Sequence, residues 1–130
     1  MRRFTPLLLL FLVLTLPVGG RAADARPTPP ADAATMLDRG LELYRSGHPD
    51  QALPVLRGFV IRYADDPGVR EASLVLARIF LDQDRPREAL LYLQRLDAGA
   101  QAPEVRLLRG LALTAAGDNQ AGREALLTID

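Results

Sequence analysis

The sequence has no cysteine and no lysine, a single histidine at His48, and only two serines, Ser46 and Ser73. Without cysteine there can be no disulfide, no thiolate nucleophile or metal ligand, and no lipid attached at a signal-peptide cysteine. His48 falls in a turn directly before Pro49, and neither serine lies in a strand-to-helix elbow. No orienting acid stands near His48, and no metal-ligand spacing, phosphate loop or paired-carboxylate arrangement occurs. Asp65 and Asp66 precede Pro67 and read as capping groups at a helix start. The expectation is therefore a protein that is not an enzyme, with no catalytic residues, no metal and no cofactor. All 16 basic residues are arginine, against 16 acidic residues, so the formal net charge is zero. The two signs are interspersed. No basic stripe exists, which argues against nucleic acid or an anionic membrane surface as partner.

What the chain does have begins with a three-part N-terminus. Arg2 and Arg3 are followed by an apolar run, Leu7 to Leu16, broken by Thr15, and then by Pro17, Gly19 and Gly20. This is the pattern of a secretory signal peptide over residues 1–25, with cleavage after Ala22 or after Ala25. The apolar run falls well short of the ~20 residues that span a bilayer as a helix, so no stable membrane span is expected after cleavage. Removing Arg2, Arg3 and Arg21 leaves 13 basic against 16 acidic residues, a net charge of −3, and removing Asp24 as well gives −2. The all-arginine usage reads as the base composition of a GC-rich bacterial genome, and export then means the periplasm. Residues 26–31 follow as a proline-rich linker, because Arg26 to Pro30 favours extended polyproline II.

Beyond residue 32 the apolar residues recur with the helical period. Ala34, Leu37, Leu41 and Tyr44 mark a first helix over about 32–45. Leu53, Leu56, Phe59, Val60 and Tyr63 mark a second that opens at Pro49, a residue whose missing N–H is harmless there. Pro54 removes a hydrogen bond and crowds the carbonyl of Asp50, which predicts a bent or late-starting first turn. A third helix, apolar nearly all round, runs from near Pro67 to about Asp82 and fits the centre of a stack. The fourth opens at Pro86 and the fifth at Pro103. Asn119 is the expected N-cap of a sixth that continues through Ile129.

These helices repeat. Gly40, Ala77 and Gly110 mark one position, at spacings of 37 and 33 residues. Gly47, Asp84 and Gly117 each follow by seven, and Ala52, Ala89 and Gly122 by twelve. Internal repetition near 34 residues is the signature of stacked helical hairpins. The fold class is therefore all-α, an α-solenoid of about three antiparallel hairpins over 32–130, with hairpins at about 32–64, 67–97 and 103–130.

The residues at these positions resemble the tetratricopeptide repeat (TPR) family. The first unit has Gly40, Leu43, Gly47, Ala52, Leu56 and Phe59. The second has Ala77, Phe80, Asp84, Ala89, Leu93 and Leu96, and the third has Gly110, Leu113, Gly117, Gly122 and Leu126. The chain departs from the pattern at Met36, Ser73 and Arg106, where the family often has Trp or Leu. The stretch from Phe59 to Leu81 is similar to periplasmic TPR proteins of Gram-negative cell envelopes. The resemblance implies that Gly40, Ala52, Phe59, Ala77, Ala89, Gly110 and Gly122 define the packing. It also implies that the first helix of each hairpin lines a concave surface that binds a peptide or protein partner. The residues expected there are Leu37, Leu41, Tyr44 and Arg45, then Leu74, Arg78, Leu81 and Asp82, then Leu107, Leu111 and Thr114. Family members that clamp a C-terminal carboxylate use Lys and Asn at the positions of Leu37 and Leu41. Those groups are absent here, so that clamp is excluded, and an apolar groove edged by arginines implies an extended or helical peptide ligand instead. The expected function is a periplasmic protein-interaction scaffold, in cell-envelope assembly. The alternative is the N-terminal repeat portion of a larger envelope protein, or a homo-oligomerisation module without a peptide groove. Self-association is expected through the C-terminal hairpin.

Overall fold

A computed structural model describes residues 30–96 and 102–128. The signal peptide, most of the linker, the small-residue loop after Leu96 and the terminal Ile129 lie outside the described residues. Six helices follow one another: α1 (Pro30–Arg45), α2 (Pro49–Arg62), α3 (Val69–Asp82), α4 (Pro86–Gln94), α5 (Pro103–Ala115) and α6 (Asn119–Leu127). Among the described residues there is no strand, and no helix is long and apolar enough to cross a membrane. Consecutive helices pair as hairpins: α1 with α2, α3 with α4, α5 with α6. Each hairpin stacks on the next through α2 on α3 and α4 on α5, and the first helices also touch directly, α1 on α3 and α3 on α5.

Three turns of one design set this geometry. Gly47, Asp84 and Gly117 all have positive φ, at 79°, 56° and 95°. In each, the amide of the positive-φ residue donates to the carbonyl three residues back, and the next amide reaches five back. The first set is Gly47 to Tyr44, Asp84 to Leu81 and Gly117 to Thr114, all 3.1 Å. The second is His48 to Leu43, Arg85 to Phe80 and Asp118 to Leu113, at 2.8–2.9 Å. This is a Schellman motif, which satisfies the last carbonyls of one helix. The residue after it is already the N-cap of the next. The carbonyls of His48, Arg85 and Asp118 accept from the amides of Ala52, Ala89 and Gly122. One left-handed residue and one cap therefore reverse the chain, and all three hairpins share this turn.

Small residues then let the paired helices close. A Cβ on Gly110 would lie 2.5 Å from Leu126 Cγ, and Gly40 faces Leu56 in the same way. Leu56 and Leu126 hold one repeat position, as do Gly40 and Gly110, so the contact recurs. Ala52, Ala77 and Ala89 are fully buried at the corresponding contacts. Larger side chains fill the rest of the core: Leu56, Phe59, Leu76, Ile79, Phe80, Leu93 and Val105 are fully or almost fully buried. Each such side chain removed from water contributes about 1.5–3 kcal/mol. The rings of Phe80 and Tyr92 stack with centroids 5.6 Å apart, and Phe59 meets Tyr63 at 5.4 Å. Helix α3, with neighbours α1, α2, α4 and α5, buries Ala72, Ser73, Val75, Leu76, Ala77, Ile79 and Phe80, as its all-round apolar character requires.

Four local readings are corrected. Helix α1 begins at Pro30, not near Asp32, so Pro30 and Ala31 belong to the helix rather than to a linker. Helix α2 does not start late despite Pro54; the His48 carbonyl closes its first turn by accepting from Gln51 and Ala52 at 3.1 and 3.0 Å. Helix α3 starts at Val69 instead of Pro67, because Asp66 Oδ1 holds the Gly68 amide at 2.7 Å and keeps Pro67 and Gly68 in a turn. The N-cap of α6 is Asp118, whose carboxylate accepts from the Ala121 amide at 3.1 Å, and Asn119 is the first helical residue.

Candidate functional site

The three first helices lie side by side, so the surface they share is where the predicted groove residues meet. At its centre Leu74 and Leu81 are half-buried on α3. On α5, Leu107 and Leu111 are 45% and 46% exposed, one turn apart on the same face, with Thr114 exposed beyond them. On α1, Leu37 and Tyr44 are half-buried and Arg45 is exposed. Leu37 also packs toward Gly68, where a Cβ would come within 2.5 Å of it.

Leu41 is a different case. It is only 5% exposed and belongs to the core, so it has no surface to offer a partner. Thr114 divides its roles: its hydroxyl donates to the Gly110 carbonyl at 2.9 Å and occupies the space that Gly122 leaves on α6.

Two ion pairs cross the helix-to-helix seams of this surface. Arg45 of α1 reaches Glu71 of α3 at 3.8 Å, and Arg78 of α3 pairs closely with Glu104 of α5. Glu71 and Glu104 are 33 residues apart, one repeat, and each lies in the first turn of its helix, where the helix dipole favours a carboxylate. Sequence reasoning singled out both arginines but neither glutamate. The equal spacing was the available signal. These pairs are solvent-exposed and contribute little stability, about 0–1 kcal/mol each. Their consequence is geometric: Arg78, between Leu74 and Leu81 on the central helix, has its charge compensated in place by Glu104. Asp82 is exposed at the end of α3.

The other polar groups hold local structure. His48 caps α2 through its backbone and makes no side-chain cap bond. Arg85 lies 4.7 Å over the Phe80 ring and bonds Glu88 at 3.0 Å. A backbone hydrogen bond at Glu88 and the Arg85 side chain hold the Glu88 carboxyl below the ordinary carboxylate range. Among the described residues no cluster of His, Asp and Glu could hold a metal ion. The arrangement offers side-chain contact over an apolar strip.

A family model described as Tetratricopeptide repeat matches residues 37–103, more than half of the 130-residue chain. No curated protein and no solved structure matches it. Such repeats in general form scaffolds that bind protein partners and are typically non-catalytic. With the repeat spacing, the three equivalent turns and the stacked hairpins, the match settles the lineage: this chain belongs to the tetratricopeptide repeat family.

Proposed function

We propose that the protein is a periplasmic scaffold of the cell envelope that captures an apolar peptide or a helix of a partner protein on the surface formed by α1, α3 and α5. The observation that carries this reading is the exposure of Leu107 and Leu111 on α5, which packs beside α3 with its half-buried Leu74 and Leu81. Leucines left in water at this density on one face fit a partner that supplies its own apolar residues at helical or extended spacing. Leu37, Tyr44, Arg45, Arg78, Asp82 and Thr114 complete the surface and its rim. Export is supported by the N-terminal pattern alone, Arg2-Arg3 followed by the apolar run and small residues.

Two measurements test the reading. Affinity capture from periplasmic extract with the wild-type chain, followed by mass spectrometry, is expected to yield a partner set that Leu107→Glu and Leu111→Glu both lose while keeping their melting temperatures. Capture that survives both substitutions sinks the groove assignment. The N-terminus of the protein recovered from cells is expected at Ala23 or Arg26. An intact Met1 start in the envelope fraction would refute cleavage.

A further inference from the structure

The opposite side of the solenoid carries a second pattern. Each second helix exposes one large aliphatic side chain, and each is preceded four residues earlier by an arginine: Arg57 and Ile61 on α2, Arg87 and Leu91 on α4, Arg123 and Leu127 on α6. The aliphatic residues are 73%, 61% and 80% exposed, well above any on the first helices. Residues four apart lie on one face of a helix, so each pair forms an outward arginine–aliphatic step. At the C-cap of α4 the step continues to Arg95, whose backbone is still helical, so that Arg87, Leu91 and Arg95 follow at four-residue steps. Around Arg95 the surface is concave. A cleft of about 500 Å³ between the ends of α2 and α4 is lined by Val60, Ile61, Ala64, Val69 and Arg95. A second cleft, of about 410 Å³, is lined by Leu91, Tyr92, Gln94 and the same arginine.

The arginines here differ from those of the first-helix surface. Arg45 and Arg78 each have a glutamate. Arg57, Arg62 and Arg95 make no hydrogen bond or ion pair among the described residues; Arg95 rests beside the Tyr92 ring at 5.8 Å. Arg62 and Arg95 at the ends of α2 and α4 suit the helix dipoles, but the dipole does not explain aliphatic side chains left in water next to them. Open cations beside apolar clefts are complementary to carboxylates spaced among apolar residues. The clefts also favour a peptide over a lipid surface, because each is a notch the size of a few side chains rather than a flat face.

We infer that the outer face of α2 and α4, centred on Arg95 between Ile61 and Leu91, is a second docking site that takes an acidic amphipathic peptide segment. The segment seats an apolar side chain in the cleft at Ile61 and places carboxylates on Arg95 and Arg57. This site is separate from the α1–α3–α5 surface and does not depend on it.

The test uses the full chain and a fluorescent synthetic peptide of about 12 residues in which glutamates alternate with leucine and phenylalanine at helical spacing. Its twin has lysine for every glutamate. Vesicles of phosphatidylglycerol and phosphatidylcholine form a third arm. Saturable binding of the acidic peptide is expected, weakening as salt is raised, with no binding of the lysine twin. Arg95→Glu and Ile61→Ser are each expected to reduce affinity at least about tenfold, and Arg95→Gln by a smaller factor, with thermal melting unchanged because all these side chains are at the surface. Leu107→Glu is expected to leave binding intact. The inference is overturned if the acidic peptide does not bind or the lysine twin binds equally. It is also overturned if the Arg95 and Ile61 variants bind as wild type, or if vesicle binding in place of peptide binding is what they abolish. Loss on Leu107→Glu alone would place the peptide on the first-helix surface, refuting this site while leaving the proposed function standing.

Discussion

Replacing Gly47 isolates what the left-handed turn residue contributes. Gly47 has φ 79°, and a Cβ built on it meets nothing within 4 Å. Substitution therefore tests backbone conformation alone, with no packing term. An L-residue in this region costs about 1–2 kcal/mol. Gly→Ala also makes the unfolded chain stiffer, which returns about 0.4–1 kcal/mol. The net expectation for Gly47→Ala is a loss of about 1 kcal/mol, or about 4–8 °C in melting temperature for a domain of this size. The second hairpin supplies an internal standard, since Asp84 occupies the equivalent place at φ 56°. Aspartate tolerates this region better than alanine, so Gly47→Asp is expected to melt above Gly47→Ala. Gly58, inside α2, provides the opposite sign. Its Cβ would meet only the flexible end of Met36, at 2.8 Å, and helix-interior alanine is favoured over glycine by about 0.5–1 kcal/mol. Gly58→Ala is expected to hold or raise the melting temperature. Thermal unfolding followed by far-UV circular dichroism decides among them. A Gly47→Ala protein that melts at or above wild type, or an aspartate variant that melts below the alanine one, would refute the assignment of a strained left-handed turn.

Three further outcomes are expected. Gly122→Ala should destabilise by about 2 kcal/mol or more, because its Cβ would lie 3.0 Å from the Thr114 amide and 3.1 Å from the Gly110 carbonyl, backbone atoms that cannot move aside; a melting temperature within error of wild type would mean that α5 and α6 are not in this contact. Ala89→Glu should unfold the domain, since Ala89 is fully buried and an unpaired buried carboxylate costs several kcal/mol; a near-native circular dichroism spectrum and melt would place Ala89 off the hairpin contact. Ser73→Ala should stabilise by about 1 kcal/mol, because the Ser73 hydroxyl is fully buried with no hydrogen-bond partner among the described residues; a lower denaturant midpoint in equilibrium unfolding would show that the hydroxyl is satisfied after all.

The repeat, the six helices and the turn residues could be read from the chain because they are local. A left-handed residue at fixed distance after a small one, followed by a proline or an acid at the next helix start, constrains only the residues on either side. The starts of α1, α3 and α6 lie one or two residues from the expected positions, because a helix end depends on the path of the chain entering it. Asp118 and its neighbour Asn119 are equally good N-caps on paper, and the side chain that reaches the amide is chosen by the backbone path. The candidate site was legible as a set of positions but not as a surface. Leu41, Arg78 and Leu111 hold one repeat position, and no property of the residues separates Leu41 from Leu111. Only the tertiary structure does: α2 and α3 pack on α1 and take Leu41 into the core, whereas the matching side of α5 has no described helix over it and leaves Leu111 nearly half in water. The ties from Arg45 to Glu71 and from Arg78 to Glu104 are likewise decided by how far each hairpin rotates on the last. Burial and pairing across a seam depend on neighbours distant in sequence. Periodicity within a helix determines which face is apolar, and stacking determines which apolar face remains open.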